Sequence, residues 1–127
     1  MRIRKKALTR AIAFGRIGLG SVFGLAPGLG LRAWPGGGAG DDVVARLLSR
    51  SVGGRDLAIG IGTLMALRHD GPVRGWLEAG IVADAADAVA IVAAFGHLPR
   101  MRSLVMLSLA AGAAVAGRLL VGALEPE

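Results

Sequence analysis

The chain has 127 residues, a formal net charge of +6 and no cysteine, which fits one domain and excludes disulfide scaffolds, cysteine-based metal sites and cysteine nucleophiles. Hydrophobic residues make up 54 %, charged residues only 19 %, and mean hydropathy is +0.60, too apolar for most soluble domains of this size. Glycine occurs 21 times without a collagen period, and Tyr is absent beside three Phe and two Trp, so stacking on nucleic-acid bases has little to work with.

Basic residues lead the chain: Arg2, Arg4, Lys5, Lys6, Arg10, Arg16 and Arg32 all precede the first acid, Asp41. With an apolar run directly behind it, residues 1–6 read as a basic tail on an anionic membrane surface rather than a nucleic-acid contact. A cleaved signal peptide is disfavoured, because Arg16 interrupts the run and Leu25-Ala26-Pro27-Gly28 is not a clean small-residue cleavage site. The first apolar segment spans 7–26 and ends at Pro27, which cannot continue a regular helix. Twenty residues at 1.5 Å rise make about 30 Å, one hydrocarbon thickness.

Pro35-Gly36-Gly37-Gly38-Ala39-Gly40 is a loop by composition. Asp41 or Gly40 then caps a helix whose first half is amphipathic, with Val43, Val44, Leu47, Leu48 and Val52 on one face and Arg46 and Arg50 on the other. This half either lies at the membrane interface or extends the second span, about 51–68, and Gly53-Gly54 offers a bend. Arg68-His69-Asp70-Gly71-Pro72 is a turn. The third segment covers about 74–95, and Gly96-His97-Leu98-Pro99-Arg100 breaks it from the fourth, 103–124. The fold class expected is therefore all-α: residues 7–124 as a single four-helix transmembrane bundle, with an amphipathic N-terminal extension of its second helix.

Five charged residues fall inside these segments: Arg16, Arg55, Asp56, Asp84 and Asp87. A charge at bilayer depth costs at least ~2.5–3.5 kcal/mol, so such groups face inward and pair. Asp84 and Asp87, three apart, share a helix face with Gly80, and Arg16 lies at a similar distance along its own segment. Arg55 and Asp56 sit near the start of the second span, so they join from above. A polar clasp that fixes helix register is the leading reading, ahead of a proton or ion pathway. Gly20, Gly24, Gly60 and Gly112 are expected at close helix crossings, and Trp34 and Trp76 as interface anchors. No catalytic residue, metal site or cofactor is expected. His69 and His97 lie in loops on opposite sides, Asp41-Asp42 has no further Asp behind it, and Gly18-Leu19-Gly20 lacks the third glycine of a dinucleotide loop.

Gly15-Arg16, Ala26-Pro27, Arg32-Ala33-Trp34, Arg55-Asp56-Leu57-Ala58-Ile59-Gly60-Ile61-Gly62, Gly75-Trp76-Leu77-Glu78-Ala79-Gly80, Asp84-Ala85-Ala86-Asp87 and Leu98-Pro99 together resemble an uncharacterised family of small actinobacterial integral membrane proteins. More distantly the chain is similar to DoxX-like four-helix membrane proteins. The resemblance covers nearly the whole chain and implies a four-helix membrane fold without an established activity, substrate or cofactor. At fold level alone it implies an accessory of a membrane redox complex. The function expected is thus a non-catalytic structural or accessory membrane protein in the cell membrane. Its partners would be the lipid bilayer and a second copy or another membrane protein, not nucleic acid. A small transporter or proton-handling protein using Asp84 and Asp87 is the alternative. Lys and Arg on the tail and second loop (Arg2, Arg4, Lys5, Lys6, Arg10, Arg68, Arg74) outnumber those on the outer loops (Arg32, Arg100, Arg102), which places both termini in the cytoplasm.

Overall fold

In the computed structural model, which describes residues 2–34 and 41–124, every regular element is helical. Helix α1 (Arg2–Leu25) is followed by the short α2 (Pro27–Ala33), then α3 (Val43–Arg68), α4 (Val73–Ala94), a 3₁₀ turn (Phe95–His97) and α5 (Arg100–Leu124). The glycine-rich loop expected at 35–40 lies outside the described residues.

Local chemistry accounts for most boundaries. Pro27 ends α1 and opens α2 as its first residue, where a missing N–H costs nothing. The sequence reading did not anticipate α2. Asp42, not Asp41 or Gly40, caps α3: its carboxylate accepts the Ala45 N–H at 2.7 Å. Asp41 instead pairs with Arg46 at 3.2 Å on the surface. Helix α3 runs straight through Gly53-Gly54, so the amphipathic half and the apolar half are one element. The basic residues read as a tail are likewise continuous with α1, which starts at Arg2. His69 caps the end of α3, and Asp70 takes a left-handed φ of 50° in the turn to α4, a conformation Asp tolerates better than most residues. Lys6 reaches across to this Asp70 at 3.3 Å, and Lys5 Nζ donates to the Ala123 carbonyl near the end of α5.

Helix α1 packs chiefly on α3 and α4 chiefly on α5; α3 and α4 join the two pairs, while α1 and α5 barely meet. Glycine makes the α1–α3 contact close. A Cβ on Gly53 would stand 2.3 Å from the Gly24 nitrogen and 2.7 Å from the Gly20 carbonyl oxygen, and one on Gly60 would stand 2.8 Å from the Ala13 carbonyl oxygen. Gly20 is equally tight, 2.7 Å from the Gly53 carbonyl oxygen and the Leu57 nitrogen, whereas Gly24 is in ordinary contact with Leu57 at 3.9 Å. Between α3 and α4 the Trp76 ring lies on Gly62, and between α4 and α5 Ile81 fills the notch at Gly117. Gly112 differs from the expectation: nothing stands within 4 Å of its Cβ position, because that face of α5 turns away from the other helices.

The apolar core is small, with Leu77, Leu120 and Val121 at its centre and Ile12, Val73 and Ile81 against it. Large apolar side chains instead cover the perimeter, among them Phe14, Leu25, Leu47, Val82, Val89, Leu109 and Leu119. Soluble monomers rarely expose apolar surface on this scale. Among the described residues three stretches, Arg4–Leu25, Val73–His97 and Arg100–Leu124, are long and apolar enough to cross a membrane. Helix α3 is long enough but carries Arg46, Arg50, Arg55, Asp56 and Arg68. The buried hydroxyls are satisfied internally, as an apolar solvent demands: Thr9, Thr63 and Ser103 donate to the carbonyls of Lys5, Ile59 and Pro99, four residues back. Ser49 donates across helices to the Phe23 carbonyl at 3.0 Å.

These contacts separate the glycines by consequence. Gly53→Ala is expected to destabilise the protein by about 1–3 kcal/mol, since its methyl meets backbone that has nowhere to move. Gly112→Ala is expected to leave stability equal or higher. Thermal melts of both variants in the same mild detergent read the difference.

Candidate functional site

The five charged residues named above converge on one network that joins three helices. From α1, Arg16 Nη2 donates to Asp84 Oδ2 at 2.5 Å and to the Gly80 carbonyl at 3.0 Å, both on α4. Its Nη1 donates to Asp56 Oδ1 on α3 at 3.1 Å. Arg55 on α3 grips Asp87 on α4 with two hydrogen bonds, Nη1 to Oδ1 at 3.0 Å and Nη2 to Oδ2 at 2.8 Å. This two-pronged geometry is the strongest form of a guanidinium–carboxylate pair. Arg55 also approaches Asp56 Oδ1 at 3.4 Å, so one oxygen of Asp56 is shared by both arginines.

The positions of these side chains follow from helix periodicity. Asp56 lies three residues after Gly53 and four before Gly60, and Arg16 lies three after Ala13 and four before Gly20. Each therefore sits midway between two points of close helix approach. The glycine seam that draws α1 onto α3 is what brings Arg16 within reach of Asp56. On α4, Gly80, Asp84 and Asp87 form one stripe at spacings of four and three. A Cβ at Gly80 would stand 2.8 Å from Arg16 Nη2 and 3.1 Å from Cζ, so the absence of a side chain there opens the berth for the guanidinium.

Burial makes the network costly to break. The side chains of Arg16, Asp56 and Asp84 are 12 %, 12 % and 13 % exposed, Asp87 23 % and Arg55 31 %. Two guanidiniums meet three carboxylates, a formal charge of −1. Asp84 Oδ1 and Asp56 Oδ2 take no hydrogen bond from the described residues, and neither is sealed off, since no fully buried side-chain polar atom lacks a partner. Among the described residues no group of His, Cys, Asp or Glu has a metal-holding arrangement.

Two cavities adjoin the network and share Leu19, Asp56, Asp84 and Ala113 in their walls. The smaller, about 240 Å³, lies toward Trp76 and Thr63 and is lined by Arg16 as well as by Asp56 and Asp84. The larger, about 340 Å³, is walled by residues from all five helices, including Phe23, Leu29, Trp34, Met106 and Leu109, and it meets all three carboxylates. Trp34, read from sequence as an interface anchor, packs edge-on against Phe23 at 5.5 Å between ring centres. Trp76 is half-exposed and rests on Gly62.

Sequence reasoning placed Arg16 with Asp84 or Asp87, and Asp84 is the partner the structure shows. It set Arg55 and Asp56 above the pair; instead Asp56 lies at the same level and bridges both arginines. It missed Gly53 as the tightest point of the α1–α3 contact and the Gly80 carbonyl as an acceptor. The seven-residue interval from Gly53 to Gly60, with Asp56 between them, was the available signal. No known protein family, curated protein or solved structure matches the chain.

The direct pair is tested by a double-mutant cycle. Arg16→Ala is expected to destabilise by ~3–5 kcal/mol, because it strands Asp84 without its cation in a poorly solvated place, and Asp84→Ala by less, because Arg16 keeps Asp56. The double variant is expected to lose less than the sum. Additive losses in thermal melts would show that the two side chains do not interact.

Proposed function

We propose that the protein is a small four-span membrane protein without catalytic activity of its own, serving as a structural or accessory component whose helices are held in register by an Arg/Asp clasp. The observation that carries this reading is the network itself: every one of its five side chains is engaged by an oppositely charged partner on another helix or on the neighbouring residue. The largely apolar perimeter and the three stretches able to cross a membrane support placement in a bilayer. Helix α3 forms the remaining span in this reading, its charges Arg55 and Asp56 turned to the other helices rather than to lipid.

Membership of the actinobacterial membrane family, and a more distant kinship with DoxX-like proteins, read from the Arg55–Gly62 element and the paired aspartates, is part of the same proposal. The basic residues at the start of α1 and around the α3–α4 turn favour a cytoplasmic position for both termini. The connections from α1 to α2, from α3 to α4 and from α4 to α5 are short.

Two measurements test this reading. A fluorescent reporter that matures only in the cytoplasm, fused after Glu127, is expected to be bright; a dark fusion that has inserted correctly would overturn the orientation. Asp87→Asn, which replaces one charge of the Arg55 pair with a neutral isostere, is expected to lower the melting temperature while proton flux through reconstituted vesicles stays at the background of empty vesicles. Flux in the wild type that Asp87→Asn abolishes at unchanged melting temperature would replace the clasp by a proton pathway.

A further inference from the structure

The network has one carboxylate more than it has guanidiniums, and a buried cluster with an uncompensated charge is costly in an apolar surrounding. The two cavities beside it differ in how they meet that charge. The smaller has Arg16 in its wall. The larger has Asp56, Asp84 and Asp87 and no Lys or Arg at all. Asp56 is 9 % exposed overall; its Oδ1 takes both arginines while its Oδ2 takes no hydrogen bond from the described residues. Asp84 Oδ1 is in the same position. The remaining wall is apolar or aromatic: Phe23 and Trp34 on one side, Met106 and Leu109 on the other. At about 340 Å³ the space falls in the range of small-molecule sites, roughly 300–1,000 Å³.

We infer that this cavity is a binding site for an apolar organic monocation, an amine or quaternary ammonium on a hydrophobic body, which supplies the positive charge that the Arg/Asp network lacks. The acid stripe sets the sign of the ligand, and the formal excess of one carboxylate sets its charge at +1. The aromatic rings of Trp34 and Phe23 in this wall favour a weakly hydrated organic cation over a strongly hydrated inorganic one, because aromatic rings attract cations that shed water easily. Helix α2 and the residue that follows it contribute Leu29, Gly30, Ala33 and Trp34 to this wall.

This site goes beyond the clasp and does not need the protein to be an accessory subunit. Its test uses the full chain in mild detergent with Trp76→Phe, so that Trp34 is the sole indole and reports from the cavity wall. The probes are benzyltrimethylammonium and its neutral isostere neopentylbenzene, which share shape and differ in charge. The cation is expected to change Trp34 emission saturably, and the isostere to have at least ten-fold weaker effect. Ala110 lines the cavity and makes no hydrogen bond in the clasp; Ala110→Leu places bulk in this wall, and it is expected to weaken cation binding by ten-fold or more at unchanged helical content. Asp84→Asn is expected to remove the preference for the cation over the isostere. Equal response to the two probes would mean that the excess carboxylate is neutralised by a proton or that the cavity takes any apolar molecule. Cation binding indifferent to Ala110→Leu would mean that it binds elsewhere. Either result overturns the proposal.

Discussion

Arg16 holds the molecule together at one point. A single guanidinium donates to a carboxylate on α3, a carboxylate on α4 and a backbone carbonyl on α4, while α1 itself packs mainly on α3. The apolar core is small, and the contact of α3 with α4 that joins the two pairs is less extensive than the contact within either pair. In a bilayer, apolar side chains gain little by choosing one another over lipid tails. Directional interactions must then supply the specificity, and planar guanidinium groups with fixed donor directions are well suited to it. Arg55 adds a second such tie to Asp87 one turn further along α4. Together they restrict both the rotation and the axial position of α4.

Glycine is the other half of this arrangement. Charged side chains can span only a limited distance, so the helix axes must come close before the network can form. Gly20, Gly53 and Gly60 allow that approach, and Gly80 leaves room for the guanidinium that results. The high glycine content is therefore not spread evenly in its effect. Gly15, Gly18, Gly54 and Gly112 have nothing near their Cβ positions, and no contact within the chain explains them.

Helical class, the approximate segments and the set of charged residues in the network were legible in the sequence, because each rests on composition and on spacing along one helix. Apolar runs of about the right length give spans, and five charges inside such runs have few places to go. What was not legible depends on distances between helices. Gly53 read as a bend because two adjacent glycines weaken a helix locally; the packing against Gly20 and Gly24, at a point where α3 continues as one helix, belongs to another part of the chain. Asp56 read as lying above the Arg16 pair because the membrane span within this helix was started near Ser51, which sets Asp56 close to its outer end. The short α2 escaped notice because Pro27 signals the end of one helix as readily as the start of the next.

Chain order gives the network a history during synthesis. Residues Arg16, Arg55 and Asp56 are all made before α4, so the nascent chain at that stage carries two guanidiniums and one carboxylate, a local charge of +1. Arrival of Asp84 and Asp87 reverses the sign. Helix α4 would be a poor candidate for entering lipid with two bare carboxylates, yet both of its counter-charges are already waiting on the preceding helices. Chains that stop short of residue 84 would present unmatched arginines to the apolar phase, the kind of feature by which quality-control proteases distinguish an unfinished membrane protein from a finished one.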